Sequence, residues 1–237
     1  MVHGLFGPLH FFEPARLLPG IEVFTPDLLG YAQQDAPQHV SLAMQADFIA
    51  DLLRSMDGRP CHLLGHSVGG AIAFLAAARV PELVQSIVCV EGNFTLEDAF
   101  MCRRIASLDG AEWEQELLKI QNSPAIWLAK NEIDVTPERL KNAEKILHNQ
   151  SATILQSMAH AVVSETSAAS YLSIVRKVLD DGTSLHLLSG SKSTKDWHVP
   201  LWVRKLASTD VIVPESGHML MLENPSIFCH LLSEILY

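Results

Sequence analysis

The sequence has no apolar run that approaches the roughly 18 residues of a membrane-spanning helix. It is also poor in basic residues, because 17 Lys and Arg stand against 27 Asp and Glu, a net charge of −10 with neutral histidines. An acidic chain disfavours nucleic acid and anionic membranes as partners, since both are negatively charged. The first residues lack the charged segment and the apolar segment of a signal peptide, so we expect none. We therefore expect a cytoplasmic protein that acts on a small molecule, as a monomer or a homodimer.

Cysteine is scarce as well. The four cysteines, at positions 61, 89, 102 and 229, lack the close spacing of metal ligands. We expect buried, reduced thiols, with neither a metal nor a cofactor. Apolar residues, in contrast, make up 48% of the 237 residues, which is typical of one large globular domain with a substantial core.

The most informative motif is Gly-x-Ser-x-Gly at residues 65–69, with Ser67 at its centre. An apolar run precedes it and small residues follow it, which predicts a strand, a sharp turn and a helix. A serine hydroxyl is a weak nucleophile and must stand clear of the sheet, where a base and oxyanion donors can reach it. Gly65 and Gly69 permit the tight turn, and the N–H of Val68 would point at the developing oxyanion. The alternative is a glycine-rich turn with a solvated serine.

Three further segments make the sequence resemble the α/β-hydrolase family. Residues 3–7, His-Gly-Leu-Phe-Gly, look like the family's HGxxG segment, which implies that the N–H of Leu5 is a second oxyanion donor. Residues 23–31 are similar to a strand and loop of the family that end in an Asp-x-x-Gly-x pattern. Residues 211–219 look like the last strand and the loop that carries the catalytic histidine, which implies that His218 is the general base.

A catalytic triad also needs an acidic residue, and the sequence offers two candidates for it. Most members of the family carry it after the seventh strand in a Gly-x-x-Asp pattern, but residues 190–193 here read Gly-Ser-Lys-Ser. Asp196 follows three residues later and is one candidate. The family's other position is the end of the sixth strand, as in the haloalkane-dehalogenase branch, and Glu91 stands there. A glutamate after an apolar strand is costly without a partner, so we expect Glu91 to be the acid and Asp196 the alternative.

The order of elements predicts an α/β fold with a mostly parallel, doubly wound sheet. Strands are expected at 21–25, 61–64, 84–90, 185–188 and 211–213, with an amphipathic helix at 40–56. Residues 92–182 lack a convincing strand and contain helical stretches at 96–107, 111–121, 123–130, 137–159 and 166–179. By the resemblance, residues 1–91 and 183–237 form the hydrolase core, and 92–182 form a helical cap over the active site.

Candidates for the substrate pocket come from the cap and from the neighbours of the catalytic motifs. The aromatic residues of the cap have an alternative role, which is to pack the cap against the core. The candidates are Phe6, His66, Phe94, Phe100, Trp113, Trp127 and Met219.

One feature departs from the family. Only Met1 and Val2 precede the HGxxG segment, where members of the family usually have a β-hairpin and a full third strand. That strand should lie between the strands at 21–25 and 61–64. The N-terminal strands are therefore expected to be missing: either the start is truncated or misassigned, or another segment fills the gap.

Together these features predict a serine hydrolase that cleaves a small or medium carboxylic ester, or a related carbonyl compound, through an acyl-enzyme on Ser67. A serine with an oxyanion hole suits attack on a carbonyl carbon. The same triad would serve carbon–carbon bond hydrolysis or perhydrolysis. A non-catalytic, ligand-binding member of the family is the remaining alternative.

Overall fold

The computed structural model describes residues 1–32, 34, 35, 37 and 39–236. Its centre is a parallel sheet of four strands in the order β1 (Cys61–His66), β2 (Val84–Val90), β3 (Ser184–Gly190) and β4 (Thr209–Val213). All three neighbouring pairs of strands run parallel. The carboxyl ends of the strands therefore meet at one edge of the sheet, where ligands bind in open α/β folds.

Twelve α-helices lie outside the sheet in the described residues. They are α1 (Pro14–Leu17), α2 (Leu42–Ser55), α3 (Val68–Ala77), α4 (Phe100–Ser107), α5 (Gly110–Gln121), α6 (Pro124–Lys130), α7 (Pro137–Leu147), α8 (Ala152–Thr166), α9 (Ala169–Asp180), α10 (Leu201–Leu206), α11 (Leu220–Glu223) and α12 (Pro225–Leu236). Every residue of α3 is buried, and its glycines and alanines let it pack closely on the sheet. Among the described helices, none combines the length and the apolar character needed to cross a membrane.

The four strands expected after residue 60 are confirmed, with ends that extend by up to two residues. The strand expected at 21–25 is wrong, because this described segment forms no strand. A strand needs a continuous ladder of hydrogen bonds with a neighbour. The position next to β1 holds only Val2, whose N–H donates to the Leu64 oxygen at 2.7 Å and whose oxygen accepts from His66 N at 3.0 Å.

The place expected for a third strand is a groove. It has a volume of about 300 Å³ and lies between segment 21–24 and the outer edge of β1. Ile21 and Val23 line one side of it, and Cys61 and Leu64 line the other. The amino group of Met1 reaches across and donates to the oxygen of Phe24 at 2.6 Å. The N-terminal strands are therefore absent from the sheet of the described residues, and Val2 makes a single bridge to β1.

The single helix expected at 137–159 is wrong, because the chain forms two helices there, α7 and α8. The side chain of Ser151 caps α8 by accepting from the N–H of Ile154 at 3.3 Å, which favours a new helix start. The residues of the break bind the N-terminal segment. Gln150 Oε1 accepts from Gly7 N at 3.3 Å, and the oxygen of Asn149 accepts from Ala32 N at 2.6 Å.

Helices α4 to α9 occupy most of the predicted cap. Helix α9 packs against α3, and its buried residues Tyr171 and Val175 belong to the same apolar cluster as Ile72 and Phe74 of α3. The last helix of the predicted cap is therefore part of the helical layer on the sheet. The division into a core at 1–91 and 183–237 and a cap at 92–182 stays a prediction.

The close approach of Val2 to α3 can be tested at Gly69. A Cβ on Gly69 would lie 2.3 Å from the carbonyl oxygen of Val2, far inside van der Waals contact. We expect Gly69→Ala to lower the free energy of unfolding by at least about 2 kcal/mol, because backbone has to move. Gly110→Ala is the matched control, since a Cβ there meets nothing nearer than 3.6 Å in a helix that favours alanine. Equal unfolding free energies of the two variants in urea denaturation would contradict the close packing of Val2 on α3.

Candidate active site

Ser67 stands on a sharp turn between β1 and α3. Its backbone has φ 53° and ψ −123°, a conformation that non-glycine residues rarely adopt. Gly65 makes the turn possible, because a Cβ there would lie 2.3 Å from the oxygen of Gly69. The N–H of Ser67 donates to the oxygen of Val90 at 2.9 Å, which holds the turn at the carboxyl end of the sheet. A conformation of this kind persists only where its surroundings enforce it, and such sites cluster at functional positions.

His218 and Glu91 form a hydrogen-bonded pair beside this turn. The Nδ1 of His218 lies 2.8 Å from Glu91 Oε2, and because the carboxylate accepts, Nδ1 carries the proton. The nitrogen Nε2 is then unprotonated in the neutral ring, as a general base requires. Glu91 is 6% exposed, follows the last residue of β2 and has a positive φ of 42°.

The carboxylate of Glu91 is bound by two further donors. Its Oε1 accepts from Gly190 N at 2.8 Å and from the hydroxyl of Ser193 at 2.5 Å. Burial raises the pKa of Glu91, but the hydrogen bonds from His218, Ser193 and Gly190 and the charge of His218 outweigh it and hold the pKa below its ordinary value. Glu91 is therefore ionised, and it can stabilise a positive charge on His218.

Glu91, and not Asp196, is the carboxylate that contacts His218. Asp196 is exposed at the end of the 3-10 turn Thr194–Asp196. Ser193, which stands where most members of the family keep their acid, donates its hydroxyl to Glu91. The sequence analysis missed this role of Ser193, although a hydroxyl at the expected position of the acid was a usable signal.

The two expected oxyanion donors both belong to backbone that adjoins Ser67. Val68 is the first residue of α3, so its N–H has no acceptor within the helix. Residues 4 and 5 pack next to Ser67. A Cβ placed on Gly4 would lie 3.0 Å from the Cβ of Ser67, which shows how close the two segments are. Leu5 lines the same cavity as Ser67. Their function as donors stays a prediction.

A neutral histidine fixes the segment that carries Leu5. The Nε2 of His3 accepts from Leu28 N at 3.0 Å, so Nδ1 carries the proton and donates to the oxygen of Gly4 at 2.8 Å. Burial lowers the pKa of His3 to about 4, which keeps the ring neutral. Tyr31 donates its hydroxyl to the oxygen of Leu5 at 2.8 Å. Residues 3–5 are therefore held from two directions.

His66, a predicted pocket residue, lines the cavity and also binds the loop of His218. Its Nε2 donates to the backbone oxygen of His218 at 2.9 Å, and the centroids of the two rings are 4.7 Å apart. Burial, reinforced by the nearby His218, lowers the pKa of His66 to about 3. His66 is therefore a neutral residue that fixes the main chain of His218.

A cavity of about 120 Å³ is lined by Ser67, His218, His66 and Leu5. Its lining residues are Leu5, Phe6, His66, Ser67, Asn93, Asp98, Ala99, Phe100, Met101, Cys102, Trp127, Asn131, His218 and Met219. In the described part of the chain, no group of three or more His, Cys, Asp or Glu residues is placed to hold a metal ion.

The cavity contains most of the predicted pocket residues, which are Phe6, His66, Phe100, Trp127 and Met219. Phe94 lies elsewhere, because its ring is fully buried against Phe74 at 5.6 Å and Trp197 at 6.2 Å. Trp113 is also buried, and its Nε1 donates to the oxygen of Ala152. These two rings take the packing role that was the alternative for the aromatic residues of the cap.

Comparison with known proteins assigns the chain to a family. The model of the alpha/beta hydrolase family matches residues 1–230. The chain belongs to the α/β hydrolase family. This α/β hydrolase is 34% identical over 107 residues to an uncharacterized protein of Mycobacterium tuberculosis, which covers 45% of the chain and 31% of that protein. The chain thus spans about a third of the length of this curated relative.

Two other comparisons cover more of the α/β hydrolase chain. A Pantoea ananatis protein named "Putative carbamate hydrolase RutD" is 29% identical over 185 residues, which covers 70% of this chain and 67% of that protein. A carboxylesterase structure from Nitrososphaera gargenis has a TM-score of 0.75 at 16% identity and covers 99% of this chain and 88% of that chain. At this identity, the second comparison shows a shared fold.

The two buried histidines predict how stability depends on pH. Burial lowers the pKa of His3 to about 4 and the pKa of His66 to about 3, both below the ordinary value near 6.5. As the pH falls, these histidines are therefore protonated in the unfolded chain before they are protonated in the folded protein. Their contribution is fully present above about pH 6.5 and is lost as the pH falls towards 4. Each should cost about 2 kcal/mol of unfolding free energy between pH 7 and pH 5.

Urea denaturation at both pH values checks this expectation. His3→Gln and His66→Gln should each lose less stability on acidification than the unsubstituted chain, because glutamine does not titrate. His230→Gln, at an exposed position on α12, is the control and should keep the full dependence. The same dependence in all of these proteins would contradict neutral burial of the two rings.

Proposed function

We propose that this α/β hydrolase is a serine hydrolase that cleaves a small or medium carboxylic ester, or a related carbonyl compound, through an acyl-enzyme on Ser67. The observation that carries the proposal is the 2.8 Å hydrogen bond between His218 and the buried carboxylate of Glu91, in the cavity that contains Ser67. A solvated serine in a glycine-rich turn would not require a base and a buried acid beside it. The strained turn at Ser67 supports the same conclusion.

In the proposed reaction, Ser67 Oγ attacks the carbonyl carbon of the substrate while Nε2 of His218 takes the hydroxyl proton. Glu91 stabilises the imidazolium, and the N–H groups of Leu5 and Val68 bind the oxyanion. The tetrahedral intermediate then breaks its bond to the leaving group, which takes the proton from His218. A water molecule attacks the acyl-enzyme by the same route, with His218 as base, and releases the acid and free Ser67.

The size and lining of the cavity favour a small or medium substrate. The volume of about 120 Å³ around Ser67 is small for a ligand pocket, and Phe6, Trp127 and Met219 provide apolar contacts. Trp127 comes from α6, within the proposed cap at 92–182. A carbamate is also a carbonyl compound with a leaving group. The name of the Pantoea ananatis relative therefore adds small carbamates to the substrates to be tested.

Labelling by a fluorophosphonate tests the nucleophile. We expect the folded protein to react with the probe and to hydrolyse p-nitrophenyl acetate or butyrate, because His218 activates Ser67. Ser67→Ala should abolish labelling and lower kcat by at least about a thousandfold, while Ser55→Ala, at an exposed position on α2, should retain both. Absence of labelling in the folded protein would contradict the proposal and favour a ligand-binding protein. Labelling without ester turnover would favour carbon–carbon bond hydrolysis or perhydrolysis.

A pair of neutral substitutions tests the acid. Glu91→Gln keeps the shape of the side chain but removes the charge that stabilises the imidazolium, so kcat should fall by about 10²- to 10⁴-fold. Asp196→Asn is the matched control at the alternative position and should change kcat by less than about twofold, because Asp196 is exposed in its turn. Ester hydrolysis measured at saturating substrate distinguishes them. A larger loss in Asp196→Asn would contradict the role of Glu91.

A further inference from the structure

Asn93 follows the proposed acid by two residues, and its backbone is tied to the nucleophile turn. Its N–H donates to the oxygen of Ser67 at 3.3 Å, and its own oxygen accepts from the hydroxyl of Tyr171 at 2.7 Å. The preceding residue, Gly92, accepts from Nε1 of Trp197 at 2.8 Å. The position of Asn93 relative to Ser67 is therefore fixed by hydrogen bonds from three elements.

The side chain of Asn93 has an unsatisfied polar atom. Asn93 is 3% exposed, it lines the cavity that contains Ser67, and its Oδ1 is buried without a hydrogen-bond partner. Across the described residues, it is the one buried side-chain nitrogen or oxygen atom in this condition. Folded proteins pair the large majority of such atoms, because an unpaired one loses its hydration without compensation.

The other polar side chains around the cavity are engaged elsewhere in the protein. Asp98 accepts from the backbone N–H groups of residues 94, 95 and 198. His66 donates to the oxygen of His218, and Asn131 donates to the oxygen of Trp127. Asn93 differs from these side chains because its amide oxygen is both buried and unpaired.

We infer that Asn93 is a specificity-determining residue, whose amide hydrogen-bonds a hydroxyl or amide N–H group that the substrate carries close to the scissile carbonyl. This inference rests on the proposed function, and it narrows the substrate from any small ester to one with a hydrogen-bond donor near the reacting carbon. Rotation about χ2 of asparagine is broad, so the amide oxygen can turn towards such a donor in the cavity.

The energetics favour discrimination by this group. A substrate without the donor would enter and leave the amide of Asn93 unpaired, while a substrate with the donor would supply the missing partner. Sites that hydrogen-bond a polar group of the substrate reject analogues that lack it far more strongly than apolar pockets reject an extra methylene group. The wall of the cavity also contains the apolar side chains of Leu5, Ala99 and Met101.

Matched ester pairs test the inference. On the acyl side, p-nitrophenyl butyrate is compared with p-nitrophenyl 3-hydroxybutyrate, and p-nitrophenyl propionate with p-nitrophenyl lactate. On the alcohol side, ethyl butyrate is compared with 2-hydroxyethyl butyrate. We expect kcat/KM to favour the hydroxylated ester by at least about tenfold in one or more pairs. The pair that shows the preference identifies the side of the scissile bond that faces Asn93.

Asn93→Leu removes both polar atoms at similar volume and should reduce that preference to less than about threefold. Asn142→Leu, a half-exposed position on α7 outside the cavity, should keep it. Circular dichroism verifies folding, and Asn93→Ala, which also removes both polar atoms, replaces the leucine variant if the latter does not fold. A wild-type preference near unity in every pair, or a preference that survives in the Asn93 variant, would overturn the inference.

Fluorophosphonate labelling of Ser67 in the same preparations separates the two proposals. Labelling and ester turnover without any preference for hydroxylated esters overturn the role of Asn93 and leave the proposed hydrolase intact. A wild-type protein that is folded but neither labelled nor active overturns the proposed function, and the inference about Asn93 with it.

Discussion

The hydrogen bond between the buried carboxylate of Glu91 and His218 is the interaction on which the rest of this site depends. A buried carboxylate is stable only with donors around it, and the donors of Glu91 come from three places: the end of β3 at Gly190, the loop at Ser193 and the loop after β4 at His218. The pair therefore joins the carboxyl ends of three strands as well as orienting the imidazole. The arrangement of the loops and the proposed chemistry share one physical cause.

The histidines of this site differ in burial, and their roles differ with it. His3 and His66 are buried, their pKa values are lowered to about 4 and about 3, and each uses its neutral ring to hold a backbone segment against Ser67 or His218. His218 is partly exposed, and its Nδ1 contacts the buried carboxylate of Glu91. One residue type thus provides both rigid support and the proposed base.

Local patterns predicted the features that local physics controls. The strands at 84–90 and 185–188 follow from continuous apolar runs, and the turn at Ser67 follows from glycines where no Cβ fits. The expected strand at 21–25 failed, because an apolar segment forms a strand only beside a partner and Val2 alone occupies that position. The expected long helix at 137–159 failed because residues 149 and 150 bond to the N-terminal segment, a contact that helical periodicity does not encode.

By itself, the sequence determined the α/β class, the family, the nucleophile turn and a short set of candidate partners for Ser67, because spacing and residue type are local properties. Only the tertiary structure decided which carboxylate meets His218, that Ser193 supports it and that Phe94 belongs to the core. It also decided that Asn93 lines the cavity and has a buried, unpaired amide oxygen. These outcomes depend on which strand ends and loops converge, and on which polar atoms burial leaves without a partner. Both are set by long-range packing, which a residue and its neighbours in the chain do not specify.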